Sequence, residues 1–155
     1  MYQAMNKGFT LIEILVALAL LAIVSAITMA SFSNLNKTNA LDSSVANIVS
    51  ILDEARSKTL ASQNSEQYGV HLEQNQVISF IGNSYNSGDS DNVVFTINKL
   101  VEISDISLTS GGNDIIFDRL TGQVDQNGSL VVRLKSDNAV STTVTVFGTG
   151  IIEVN

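Results

Sequence analysis

Hydrophobic and polar positions divide the chain into stretches with different periods. From Ile14 to Phe32, nineteen successive residues carry no charge, and Leu, Ile, Val and Ala dominate. A helix of that length spans roughly 28 Å at about 1.5 Å per residue, close to the ~30 Å hydrocarbon core of a bilayer. An uncharged run this long predicts a spanning helix rather than a core helix. Farther on, Leu41, Val45, Ile48, Leu52 and Ala55 recur at steps of four, three, four and three, which draws an apolar stripe along one helical face. Asp42, Ser43, Ser44, Asn47, Ser50, Asp53, Glu54 and Arg56 occupy much of the remaining surface. Neither proline nor glycine falls between Phe9 and Tyr68. The pattern therefore predicts one helix of roughly 54 residues, about 80 Å long. Its first half suits an apolar surround, and its second half suits packing on a sheet.

After Gln63-Asn64-Ser65 the period changes to that of strands. Tyr68–Leu72 and Val77–Ile81 flank the polar turn Glu73–Gln76 and predict a hairpin. The Asn-, Ser-, Gly- and Asp-rich stretch from Gly82 to Asn92 predicts an exposed loop. Val93–Ile97, Leu100–Leu108, Ile115–Phe117, Leu130–Leu134, Thr143–Phe147 and Ile151–Val154 are the further strand candidates, most of them set apart by Gly- or Asn-containing turns. Short strands at close spacing predict a two-sheet or meander arrangement. The expected fold class is α+β, a long N-terminal helix whose second half packs on a C-terminal antiparallel β-sheet domain. No internal repeat and no long linker divides that domain.

Composition narrows the chemistry. The 155 residues allow one domain with a modest core beyond the apolar helix. The formal net charge is −7, which argues against general binding of nucleic acid or anionic lipid by bulk electrostatics. No cysteine is present, so no disulfide, thiolate ligand or thiol nucleophile is available. The sequence has no proline either, and its long helix is expected to be less kinked than a proline-bearing one.

Gly8-Phe9-Thr10-Leu11-Ile12-Glu13 precedes the apolar run, with Lys7 just before the glycine. A secretory signal peptide would place its cleavage site after the apolar stretch. A cut at Gly8 would instead leave the hydrophobic helix on the mature chain. Glu13 stands at the edge of the run, one turn from Phe9, where a carboxylate is costly unless it finds a partner. A freed α-amino group on Phe9 of a neighbouring subunit would supply one. Charge alone favours a cytoplasmic N-terminus only slightly, since Lys37 is the one nearby cation on the far flank.

These residues resemble the N-terminus of the type IV prepilins. The resemblance implies removal of residues 1–8 by a prepilin peptidase acting after Gly8, N-methylation of Phe9, and a role for Glu13 in filament assembly. It further implies a transmembrane or filament-core helix over 9–32 and an extracytoplasmic helix-plus-sheet domain over 33–155, in the architecture often drawn as a lollipop. The implied partners are other pilins or pseudopilins and an inner-membrane assembly platform. Leu52–Asn64 with the Val70 strand, Ile115–Phe117 followed by Gly122, and the last strand after Gly148 and Gly150 are similar to the H-type minor pseudopilins and FimT-like minor pilins. Many major pilins carry a proline in the membrane helix, which this chain lacks. DNA-binding FimT-like proteins tend to carry an arginine-bearing segment near the C-terminus, whereas Gly148-Thr149-Gly150-Ile151-Ile152 has no cation. Nucleic acid is accordingly not an expected ligand.

Other chemistry has little support. His71 is the lone histidine, with no identifiable nucleophile beside it, and reads as a surface or half-buried strand residue. Asp89-Ser90-Asp91-Asn92 and Asp125-Gln126-Asn127-Gly128 lack EF-hand spacing and read as turns. Arg56 and Lys58 suit the end of a helix dipole. Asn36-Lys37-Thr38 and Asn127-Gly128-Ser129 fit a glycosylation pattern by chance in so polar a chain. No metal, cofactor or enzymatic activity is expected. A type II secretion pseudopilus and a type IV pilus remain equal readings. An anchored adhesin or receptor using the Gly82–Asn92 loop, and an uncleaved membrane-anchored protein, are the rivals.

Overall fold

The computed structural model describes residues 8–109 and 111–155. The first seven residues of the expected leader lie outside the described residues. One helix, α1 (Leu11–Leu60), belongs by its first part to a compact unit that ends at Asn36 and by its second part to the unit Lys37–Asn155.

In the first unit the helix is apolar all round. Every residue from Leu11 to Met29 is exposed, and an 18-residue window of mean hydropathy 2.6 has none of its residues buried. By length and composition this segment can cross a membrane. Ser25 and Thr28 turn their hydroxyls back to the carbonyls of Leu21 and Val24, at 2.7 and 3.2 Å, which removes two polar groups from that surface.

In the second unit the stripe read from the sequence is buried: Ala40, Leu41, Val45, Ile48, Leu52 and Ala55 enter the core, with Ile48 and Leu52 wholly inaccessible. Buried hydroxyls on this face are satisfied. Ser44 donates to the Ala40 carbonyl at 2.6 Å, and Thr59 donates to that of Ala55 at 2.9 Å. Thr59 also accepts the Tyr68 N–H at 3.1 Å, so one side chain joins the helix end to the first strand. The helix stops where Ser62, Asn64 and Ser65 adopt left-handed backbone angles, a turn that Arg119 braces by donating to the Ser62 hydroxyl at 2.7 Å.

Eight strands follow: β1 (Tyr68–Leu72), β2 (Gln76–Ile81), β3 (Val93–Thr96), β4 (Val101–Leu108), β5 (Asp114–Phe117), β6 (Gly128–Leu134), β7 (Asp137–Val146) and β8 (Ile152–Val154). They form two four-stranded antiparallel sheets, ordered β3-β2-β1-β5 and β4-β6-β7-β8. Alternating residues supply the core between helix and sheets: Val70, Leu72, Val77, Ile115 and Phe117 from the first sheet, and Val101, Leu130, Val132, Val144 and Val146 from the second. The expected hairpin is present: β1 has the expected bounds, and β2 begins at Gln76, one residue earlier than expected. β7 differs from expectation, because it begins at Asp137 rather than Thr143. Its first five residues are exposed and polar-rich, and three of them bulge out of register between Arg133 and Leu134.

A second, smaller cluster covers the other face of the first sheet. Ile78 and Phe80 are buried outside the main core. The Phe80 ring lies over Gly69, where an added Cβ would meet it at 2.3 Å. Tyr85, from the loop after β2, stacks on His71 with ring centroids 3.9 Å apart and lies 5.7 Å from Phe80. The loop is mostly exposed as expected, but this aromatic contact pins it to the sheet.

Candidate processing and assembly site

Gly8, Phe9 and Thr10 stand outside any helix or strand, and α1 begins at the next residue. The reason lies in Thr10. Its carbonyl accepts the N–H groups of Glu13 at 3.1 Å and Ile14 at 3.2 Å, and its hydroxyl oxygen accepts the Glu13 N–H at 3.3 Å. Thr10 is thus the N-cap, satisfying a donor that the helix itself leaves orphaned. Thr10-Leu11-Ile12-Glu13 has the Thr-x-x-Glu spacing of a capping box, a signal present in the sequence but hidden behind the motif it overlaps. Glu13 lies in the first turn, where a carboxylate complements the positive end of the helix dipole. Its side chain is exposed and has no ion-pair partner among the described residues. Phe9 is 80% exposed. The structure therefore gathers Gly8, Phe9 and Glu13 at one accessible helix start.

The remaining candidates resolve into structural roles. His71 is half-buried between β2 and β5; its Nδ1 meets the Asp114 carboxylate, which register alone places opposite it, and its Nε2 faces Glu73 at 3.5 Å. A carboxylate thus lies on either side of the ring and Tyr85 stacks on its face. Asp89 accepts the Asp91 N–H at 3.1 Å and Asn86 accepts that of Gly88, which is ordinary turn bonding. No cluster of three His, Asp or Glu residues that could hold a metal occurs among the described residues. Lys58 pairs with Glu54 at 2.6 Å one turn back, whereas the Nε of Arg56 is buried without a hydrogen bond beside Gly150. Glu102, almost fully buried, accepts from Arg133 at 2.8 Å and from Gln74 at 3.0 Å, tying the β1–β2 turn of one sheet to β4 and β6 of the other. The Arg133 hydrogen bond holds its carboxyl below the usual glutamate range against the opposing effect of burial.

Gly122 and Gly150, singled out by position in the sequence, meet in space. Both have positive φ, and a Cβ on Gly150 would lie 1.9 Å from the Gly122 carbonyl oxygen. They lie in separate turns: Phe147–Gly150 has no cation of its own, whereas the turn that ends at Gly122 holds Arg119, whose side chain reaches Ser62.

A helix of this composition preceded by a non-helical Gly-Phe-Thr, continuing into an antiparallel α+β domain, defines a pilin-like class. Residues 3–29 match the family model of the prokaryotic N-terminal methylation motif. Among solved structures, the fold is similar to that of the type IV minor pilin FimU of Pseudomonas aeruginosa strain PAO1. In its P21 crystal form the TM-score is 0.59 at 10% identity, over 76% of this chain and 90% of that one. In the P65 form the TM-score is 0.54 at 9% identity, over 74% and 92%. Comparison with curated proteins found no match. At such identities the likeness is one of fold. The resemblance to type IV prepilins drawn from Lys7–Glu13, and to minor pilins drawn from the later segments, thus stands on two findings, the motif at one end and the fold.

Proposed function

We propose that this chain is a minor subunit of a type IV pilus-like filament, made as a prepilin, cut after Gly8, methylated on Phe9 and assembled through the first part of α1. The observation that carries the reading is the conjunction of the methylation motif over residues 3–29 with a fold like that of a type IV minor pilin. Before assembly the apolar segment anchors the chain in the bacterial inner membrane, with the sheet domain on the periplasmic side. In the filament the same segment exchanges lipid for neighbouring helices, and Glu13 pairs with the free amine of Phe9 on the next subunit, which sets axial register. The work is mechanical, done by packing, and the assembly platform and other pilins are the partners. The same physics serves a secretion pseudopilus, and the fold does not favour one machine over the other.

Intact mass of the full chain expressed with a prepilin peptidase tests the first step. Loss of residues 1–8 and gain of one methyl group, abolished in Gly8→Ala, is the expected result. An uncut wild-type chain beside an active peptidase would overturn the reading. Glu13→Ala is expected to be processed and methylated yet absent from sheared filaments; normal incorporation would remove the role given to Glu13.

A further inference from the structure

Hydrolysis of the Gly8–Phe9 bond adds water across that amide, leaving a carboxylate on Gly8 and an amine on Phe9. The attacking oxygen must reach the Gly8 carbonyl. In an α-helix that carbonyl would accept the N–H of Ile12, four residues on, and side chains of the next turn would crowd it. In this chain the helical ladder begins at the Thr10 carbonyl, and residues 8–10 lie outside the helix. The feature that stops the helix there is the Thr10 hydroxyl, which holds the Glu13 N–H at 3.3 Å. Without it, Gly8 is the next residue upstream suited to an N-cap among the described residues. A helix started at Gly8 would take Phe9 and Thr10 into its first turn and engage the scissile carbonyl.

We propose that Thr10 is a positioning residue for prepilin cleavage: its side-chain oxygen fixes the start of α1 at Leu11 and so keeps the Gly8–Phe9 bond outside the helix and open to attack. The inference rests on the reading of Gly8–Phe9 as a processing site. It assigns separate roles within one hexapeptide. Thr10 acts before the cut by shaping the substrate, and Glu13 acts after it in the filament. Because Thr10 holds the backbone N–H of Glu13, Glu13→Ala retains the capping bond, in keeping with its expected normal processing.

The test uses the full chain in detergent with a purified prepilin peptidase, following initial cleavage rate by intact mass. Thr10→Val keeps the shape of the side chain and removes the acceptor; Thr10→Ser and Thr10→Asn keep an acceptor and change the shape. Loss of a cap shifts the helix-start equilibrium by about five-fold, and cleavage slows in step with the non-helical fraction, so Thr10→Val is expected to be cut up to about five-fold more slowly. Ser and Asn variants are expected to stay near the wild-type rate. Hydrogen exchange supplies a readout independent of the enzyme: the amides of Ile12 and Leu11 gain protection in Thr10→Val and not in Thr10→Ser. A valine variant cut and exchanged like wild type overturns the proposal. So does a series in which Ser and Asn are as slow as Val, since that ordering reports contact of the threonine with the peptidase rather than capping. If wild type itself is not cut, the processing reading fails, while the exchange experiment still decides whether Thr10 sets the helix start.

Discussion

The two parts of α1 obey different burial rules although no break separates them in sequence. Between Leu11 and Met29 apolar side chains point in every direction and all are exposed. Between Ala40 and Ala55 they occupy one stripe, and that stripe is buried. A helix apolar on all sides has no stable position in water, because a single sheet could cover only one of its faces. A striped helix needs only the domain it belongs to. The first part is therefore completed by surroundings outside the chain, lipid or other helices, and the second by its own sheets. The contrast also locates the charge: among the described residues of the first unit the one charged side chain, Glu13, lies near its start, whereas charged groups of the second unit hold strands and turns together.

Substitutions can break this contrast at either end. The largest effect is expected for Leu52→Ala, which empties a fully buried site and should cost about 2–5 kcal/mol of domain stability in chemical denaturation of the full chain. Leu20→Ala, the same chemical change in the first unit, should move that transition by less than about 0.5 kcal/mol; a large shift there would show that the first part of the helix leans on the domain. Gly150→Ala should cost about 1–3 kcal/mol, because its Cβ meets the Gly122 carbonyl oxygen in a left-handed backbone position. Thermal melting would sink this expectation if the alanine variant matched wild type.

Glu102 sharpens the comparison through pH. Its carboxyl is held below its ordinary range in the folded chain, so folding is favoured by its ionisation. That contribution is fully present above the unfolded-state value and is lost as pH falls through the lower folded-state value. Denaturation midpoints across the acid range should therefore fall less steeply in Glu102→Gln than in wild type; identical slopes would deny the carboxylate this role. The smallest effect is expected for Glu54→Gln, which breaks an exposed helix pair with Lys58 and should cost no more than about 0.5 kcal/mol.

Much of the architecture was legible from local pattern. The change from an unbroken apolar run to a stripe marked the two parts of α1, and alternation located β1 and β2 almost to the residue. The start of β7 was not legible, since Asp137-Asn138-Ala139-Val140-Ser141 has turn-forming residues and no buried alternation. Those residues are strand because β6 offers a partner, not because they prefer it. At the proposed processing site, Gly8, Phe9 and Glu13 are visible in the sequence as a motif. Thr10 carries a Thr-x-x-Glu capping signal that the same motif overlaps, and the hydrogen bond its hydroxyl accepts from the Glu13 N–H is seen only in the structure.

By itself the sequence determined the elements and the two environments they require, since period and charge act between near neighbours along the chain. Tertiary structure alone decided which strands pair, how Asp114 reaches His71 across 43 positions, how Glu102 joins two sheets, and why Gly122 and Gly150 must both be glycine. Those contacts depend on register and on close approach between distant segments, and a local pattern carries information about neither until the strands have chosen their partners.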